Sequence, residues 1–119
     1  MANQTGVNEF QKILNATFVN DAIEKGEYLH AARGIQDVNE IDASKAYWDR
    51  LALKIVENPD WLSKSRSFST YAQGLYASVI PLLIGKKKFT DAEIWAQRIY
   101  AYKEKNDWLN KINAARLGK

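Results

Sequence analysis

The chain has 119 residues, of which 46% are apolar and 26% charged, with a net charge of +3; this is the profile of a core-forming domain, and it excludes a disordered tail or a fibrous protein. There is no Cys and a single His, His30. Disulfide frameworks, zinc fingers, thiol nucleophiles and iron–sulfur clusters are therefore excluded, and no cofactor is expected.

The polar start Met-Ala-Asn-Gln-Thr carries neither the basic segment nor the apolar segment of a leader. The least charged stretch, 67–85, is broken by Ser, Thr, Gln, Gly and Pro and is too polar to span a bilayer. A soluble, cytoplasmic chain forming one domain over 1–119, without membrane contact, is expected. The periodicity is helical throughout. Val7, Phe10, Leu14 and Phe18, flanked by Ile13, Ala22 and Ile23, trace one face of a first helix ending at Lys25, with Gly26 in the left-handed terminating position. A short helix follows over Glu27–Arg33 and stops at Gly34, and residues 35–42 read as a loop. Asp42 caps a helix over 43–57 whose apolar stripe is Tyr47, Leu51 and Ile55, and Asn58-Pro59 ends it.

A central uncharged helix is predicted over about 67–84, with Phe68, Tyr71, Ala72, Leu75, Tyr76, Val79, Ile80 and Leu83 at steps of three and four. Pro81 must kink it or displace its last turn. A long C-terminal helix is predicted over about 91–116. It opens with a capping box, Thr90 and Glu93, and a hydrophobic staple, Phe89 and Ile94. Its apolar face reads Ile94, Trp95, Ile99, Tyr102, Leu109 and Ile112, with a break possible at Asn106-Asp107. The fold class is all-α, a compact bundle of four to five helices.

Catalytic signals are weak. His30 has no nucleophile elbow near it, and Asp37–Asp42 lacks the Gly and the bidentate Glu of a calcium loop. Gly85-Lys86-Lys87 imitates the end of a phosphate loop without the upstream Gly or the strand. No metal site and no small-molecule substrate are indicated, and the chain is expected not to be an enzyme.

Charge carries more information. Residues 1–60 hold six basic and ten acidic side chains, a balance of −4, whereas residues 61–119 hold eleven basic and four acidic ones, a balance of +7. A basic half serves a polyanion or a complementary protein surface. The candidate nucleic-acid contacts are Lys64, Arg66, Lys86, Lys87, Lys88, Arg98, Lys103, Lys105 and Lys111. Arg98 and Arg116 fall inside the apolar stripe of the last helix, where they snorkel, face a ligand or pair with an acid of the first half. Candidate partner contacts are Thr70 and Gly74, on the small uncharged face of the central helix, and Tyr100 and Trp108, large aromatics off the stripe of the last helix. A helix without charge on any side is either buried all round or packed against another subunit.

At the level of type, a basic all-helical chain of this length resembles the small subunits of CRISPR effector complexes, which stack head to tail and line a nucleic-acid strand with basic side chains. Small phage packaging, connector and inhibitor proteins share the profile. The resemblance implies a non-catalytic assembly subunit that contacts nucleic-acid backbone through its basic C-terminal half, inside a larger nucleoprotein complex. The alternative is a protein-binding adaptor or inhibitor from a phage or mobile element that uses an apolar, aromatic helix face. A protein partner or self-association is expected under both.

Overall fold

The computed structural model describes residues 14, 16–38, 40–68 and 72–118. The expected apolar positions Val7, Phe10, Ile13 and Tyr71, and the candidate contact Thr70, lie outside them. All regular structure among the described residues is helical: α1 (residues 16–24), α2 (Tyr28–Gln36), α3 (Ile41–Glu57), α4 (Pro59–Leu62), a 3-10 turn (Ser65–Phe68), α5 (Gln73–Gly85), α6 (Phe89–Gln97) and α7 (Tyr102–Arg116). The class is as expected, but the helices are more numerous than the four to five predicted, because two of those predicted are divided.

Gly26 ends α1 as expected, with φ +76°. The amides of Gly26 and Glu27 donate to the carbonyls of Ile23 and Ala22, the paired bonds of a Schellman cap. Beside this cap Lys25 binds Asp21 at 3.0 Å, which raises the lysine pKa above its ordinary value through that hydrogen bond and the carboxylate charge. Gly34 does not stop α2. It is helical, and a Cβ added there would stand 2.8 Å from Phe18 and 2.9 Å from Val19, so the glycine serves the close approach of α1 to α2. Arg50 of α3 holds α1 from the other side through Asn20 and, at 2.8 Å, Glu24.

α3 begins at Ile41, so the expected loop 35–42 shrinks, and Asp42 sits in the first turn instead of capping it. Asn58 ends α3 in an extended conformation, φ −112° and ψ 103°, as Pro59 demands, and its side chain accepts from the Asp60 amide to start α4.

The predicted central helix 67–84 is divided. Ser65–Phe68 is a separate 3-10 turn, and the α-helix begins at Gln73 and runs through Pro81 to Gly85. Pro81 supplies no N–H to the Ala77 carbonyl, a loss that water can offset because both residues are exposed. The other side of α5 presents Leu75, Tyr76, Val79, Ile80 and Leu83, all buried, to α3 and α6.

The predicted long helix 91–116 is also divided. Its break falls at Arg98–Ala101, not at Asn106-Asp107, and the two pieces pack against each other as α6 and α7. The capping box does not form, because α6 starts two residues early with Lys88 at the N-cap and no side-chain cap bond. Ile94 and Tyr102, expected in the apolar stripe, are exposed.

The buried residues from α1 to α7 form one core cluster. Through it runs a chain of rings: Tyr28 against Trp61, Trp61 against Phe68, Phe68 against Trp95 and Trp95 against Tyr76, with centroids 5.2–5.8 Å apart. The polar tips of Trp95 and Tyr76 are satisfied on the connector between α3 and α5. Trp95 Nε1 donates to the Leu62 carbonyl at 2.7 Å, and the Tyr76 hydroxyl to the Ser65 carbonyl at 2.8 Å. No helix among the described residues is long and apolar enough to cross a membrane.

Candidate nucleic-acid interface

Seven of the nine candidate cations fall at the two ends of the α5–α6 pair. Lys86, Lys87 and Lys88 form the turn that leaves α5 and enters α6. At the other end, Phe68 lies against Trp95, and Gln73 Oε1 accepts from the Tyr100 amide at 3.0 Å. These contacts bring the turn carrying Arg66, the start of α5 and the Arg98–Ala101 break to one end of the molecule. A 13-residue α5 separates the two ends by about 18 Å.

The break between α6 and α7 forms a basic, aromatic elbow, Arg98-Ile99-Tyr100-Ala101-Tyr102-Lys103. Ile99 is buried and anchors it, while Tyr100 and Tyr102 are 80% and 77% exposed. Arg98 and Lys103 are exposed beside them, and Lys105 is half-buried in the next turn. α7 starts here with Ala101 at its N-cap and no side-chain acceptor, so its first-turn amides are uncapped by the protein. Lysines at this end of a helix oppose the backbone dipole at a cost of about 0.3–1 kcal/mol each, which Glu104 in the first turn offsets in part and a bound anion would offset further.

The Lys86–Lys88 turn has its own local strain. The Lys88 amide donates to the Leu83 carbonyl and the Lys87 amide to the Ile84 carbonyl, the same cap that Gly26 makes after α1. Here the left-handed position, φ 60°, is held by Lys87.

The remaining candidates are dispersed. The Lys64 ammonium stands 4.7 Å from the centre of the Trp61 ring, and the Lys111 ammonium 4.6 Å from that of Trp108. Trp108 is half-buried and packs against the core, so it is not a free aromatic surface. Arg116 pairs with Glu93 and lies over the Phe89 ring; its acid comes from the same half of the chain, not from the first. Arg98 lies in the break, outside any helical stripe. Among the described residues, none of the nine candidate nucleic-acid contacts forms an ion pair.

Gly74 belongs to another place. It lies with Ala77, Ser78, Pro81 and Leu82 of α5 along an open groove of about 660 Å³, faced by Ile41, Lys45, Trp48, Asp49 and Leu53 of α3. The small face of α5 is thus neither buried all round nor continuous with Trp108. The sequence reading missed Tyr102, Ile41 and Leu53. Tyr102 was hidden by its helical spacing from Ile99 and Trp95, and Ile41 by its place in an expected loop. Leu53 lies off the stripe of α3 and was the one detectable signal.

Among the described residues no three His, Asp or Glu side chains converge as a metal-binding group. The chain matches no protein-family model, and no curated protein or solved structure shows significant similarity to it.

Proposed function

We propose that this chain is a non-catalytic helical subunit that binds nucleic-acid backbone within a larger nucleoprotein complex. The observation that carries the reading is the elbow: two exposed tyrosines between Arg98 and Lys103, fixed from beneath by Ile99 and by the Gln73–Tyr100 hydrogen bond. Exposed rings beside unpaired cations stack on bases while the cations neutralise phosphates, a combination suited to single strands and tolerant of sequence. Arg66 at the same end and Lys86–Lys88 at the other extend the contact along a strand, since about 18 Å spans several nucleotides.

Fluorescence anisotropy with labelled single-stranded RNA, single-stranded DNA and duplex DNA tests this. Four to six phosphate contacts predict a loss of about one-and-a-half to three decades of affinity between roughly 50 and 200 mM salt, the smaller values for single strands. Arg98→Glu with Lys103→Glu should abolish most of the binding, and Lys86, Lys87 and Lys88 changed together to Glu should weaken it and flatten its salt dependence. Absence of binding at the lower salt concentration refutes the reading.

A second reading, a protein-binding adaptor or inhibitor, is favoured by one feature, the α3–α5 groove. It predicts that nucleic acid binds weakly and without preference between the elbow variant and the native chain.

A further inference from the structure

The groove between α3 and α5 presents an unusual order of side chains along α3. Ile41, Lys45, Asp49 and Leu53 follow one another at steps of four residues, and all four line the groove. Ile41 is 84% and Leu53 43% exposed. Lys45 and Asp49 are exposed too and, although one turn apart, form no ion pair with each other or with any described residue. A lysine placed before its acid is the weaker order for a pair within a helix. The row therefore reads apolar, positive, negative, apolar, with its midpoint between Lys45 and Asp49.

Such a row is complementary to itself when run backwards. A two-fold axis through that midpoint sets Lys45 of one copy against Asp49 of the other, twice, and Ile41 against Leu53, twice. A parallel copy would instead set lysine against lysine. Steps of four residues are also the ridges that interlock when two helices cross at their commonest angle. The floor suits this approach, because the short side chains of Ala77 and Ser78 of α5 leave room beside α3 for an incoming aliphatic side chain. We infer that this face pairs two copies of the chain through α3, antiparallel about a two-fold axis between Lys45 and Asp49, and that the dimer is held by two reciprocal ion pairs between apolar ends. An isologous contact of this kind uses one patch on both copies and closes on itself.

About three turns of helix is a small interface, so a dissociation constant in the micromolar range or weaker is expected. Sedimentation velocity on the full chain, from about 10 to about 500 μM and without nucleic acid, should show a reversible monomer–dimer equilibrium. Lys45→Asp and Asp49→Lys each oppose like charges twice and should each weaken the dimer at least about tenfold. Mixed in equal amounts, the two variants should form a dimer containing one copy of each, because both cross-pairs are then again opposite in sign. The double variant K45D/D49K should dimerise as the native chain does. Both positions are exposed, and unchanged circular dichroism and melting of each variant guard against unfolding. A native chain that stays monomeric over the whole range, single variants that dimerise as well as the native chain, or a mixture that stays monomeric would each overturn the inference. In the first case the groove is left to a foreign chain or a small molecule.

Discussion

Trp48 of α3 and Gly74 of α5 approach so closely that a Cβ on the glycine would stand 2.4 Å from the indole Nε1 and 2.7 Å from Cδ1. The ring is 8% exposed and sits between two helices, so it has little freedom to move aside. In an open helix Gly→Ala stabilises by up to about 1 kcal/mol. Here Gly74→Ala is expected to destabilise by about 1–3 kcal/mol through overpacking. Urea denaturation decides the sign, and a stabilised variant would show that α3 and α5 are farther apart than described.

Trp95 and Ser65 make opposite predictions about buried polar atoms on the same connector. Trp95→Phe removes the donor to the buried Leu62 carbonyl and part of the ring between Phe68 and Tyr76. A loss of about 2–4 kcal/mol is expected from the orphaned acceptor and the cavity together. Among the described residues the Ser65 hydroxyl is buried without a hydrogen-bond partner. Ser65→Ala keeps the backbone carbonyl that receives the Tyr76 hydroxyl and removes only the stranded group, so it should be neutral or stabilise by up to about 1 kcal/mol. Thermal melts of the two variants, moving in opposite directions or one moving alone, check both.

The helical class was legible because the core repeats at three and four residues: Leu51 and Ile55 in α3, and Leu75, Tyr76, Val79, Ile80 and Leu83 in α5 are all buried as read. The break at Arg98–Ala101 was not legible, since it contains none of the Gly, Pro, Asn or Ser residues that usually mark one. Ile99 is buried whether the chain passes through it as helix or as turn, so its spacing from Trp95 concealed the elbow. Asn106-Asp107, which looks like a break, lies within α7. Glycines misled in a related way: Gly34 reads as a stop, yet its role is set by Phe18 and Val19 arriving from α1, which no local pattern reveals. The cations of the candidate interface were legible as residues. Their division between two ends depends on how α5 and α6 pack, and so was not.

At the elbow, Tyr100→Ala and Tyr102→Ala test stacking apart from charge. Both rings are mostly exposed, so stability should change by no more than about 0.5 kcal/mol. Affinity for a single strand should fall by about 5- to 150-fold for each ring that holds a base, with the salt slope unchanged because no cation is lost. Anisotropy titrations at two salt concentrations separate the two effects. A variant that binds as tightly as the native chain removes that ring from the interface.

Lys87 gives the last test, because it separates what the fold wants from what the proposed interface wants. Its position closes α5 with the same pair of hydrogen bonds that closes α1, where the corresponding residue is Gly26. Both are left-handed, φ 60° for the lysine and φ +76° for the glycine. A side chain in that region crowds its own backbone, whereas glycine does not, and glycine is the usual residue at this cap. Lys87→Gly should therefore stabilise the chain by about 0.5–1 kcal/mol, after allowing for the greater freedom of glycine in the unfolded state. A fold under no other demand would gain from that exchange. If the lysine is kept for a phosphate, the more stable variant should bind nucleic acid more weakly and with a salt slope lower by about one. Stability rising while affinity falls ties the turn to the interface. Stability rising with affinity unchanged removes Lys87 from the interface and leaves the turn's part in it to Lys86 and Lys88.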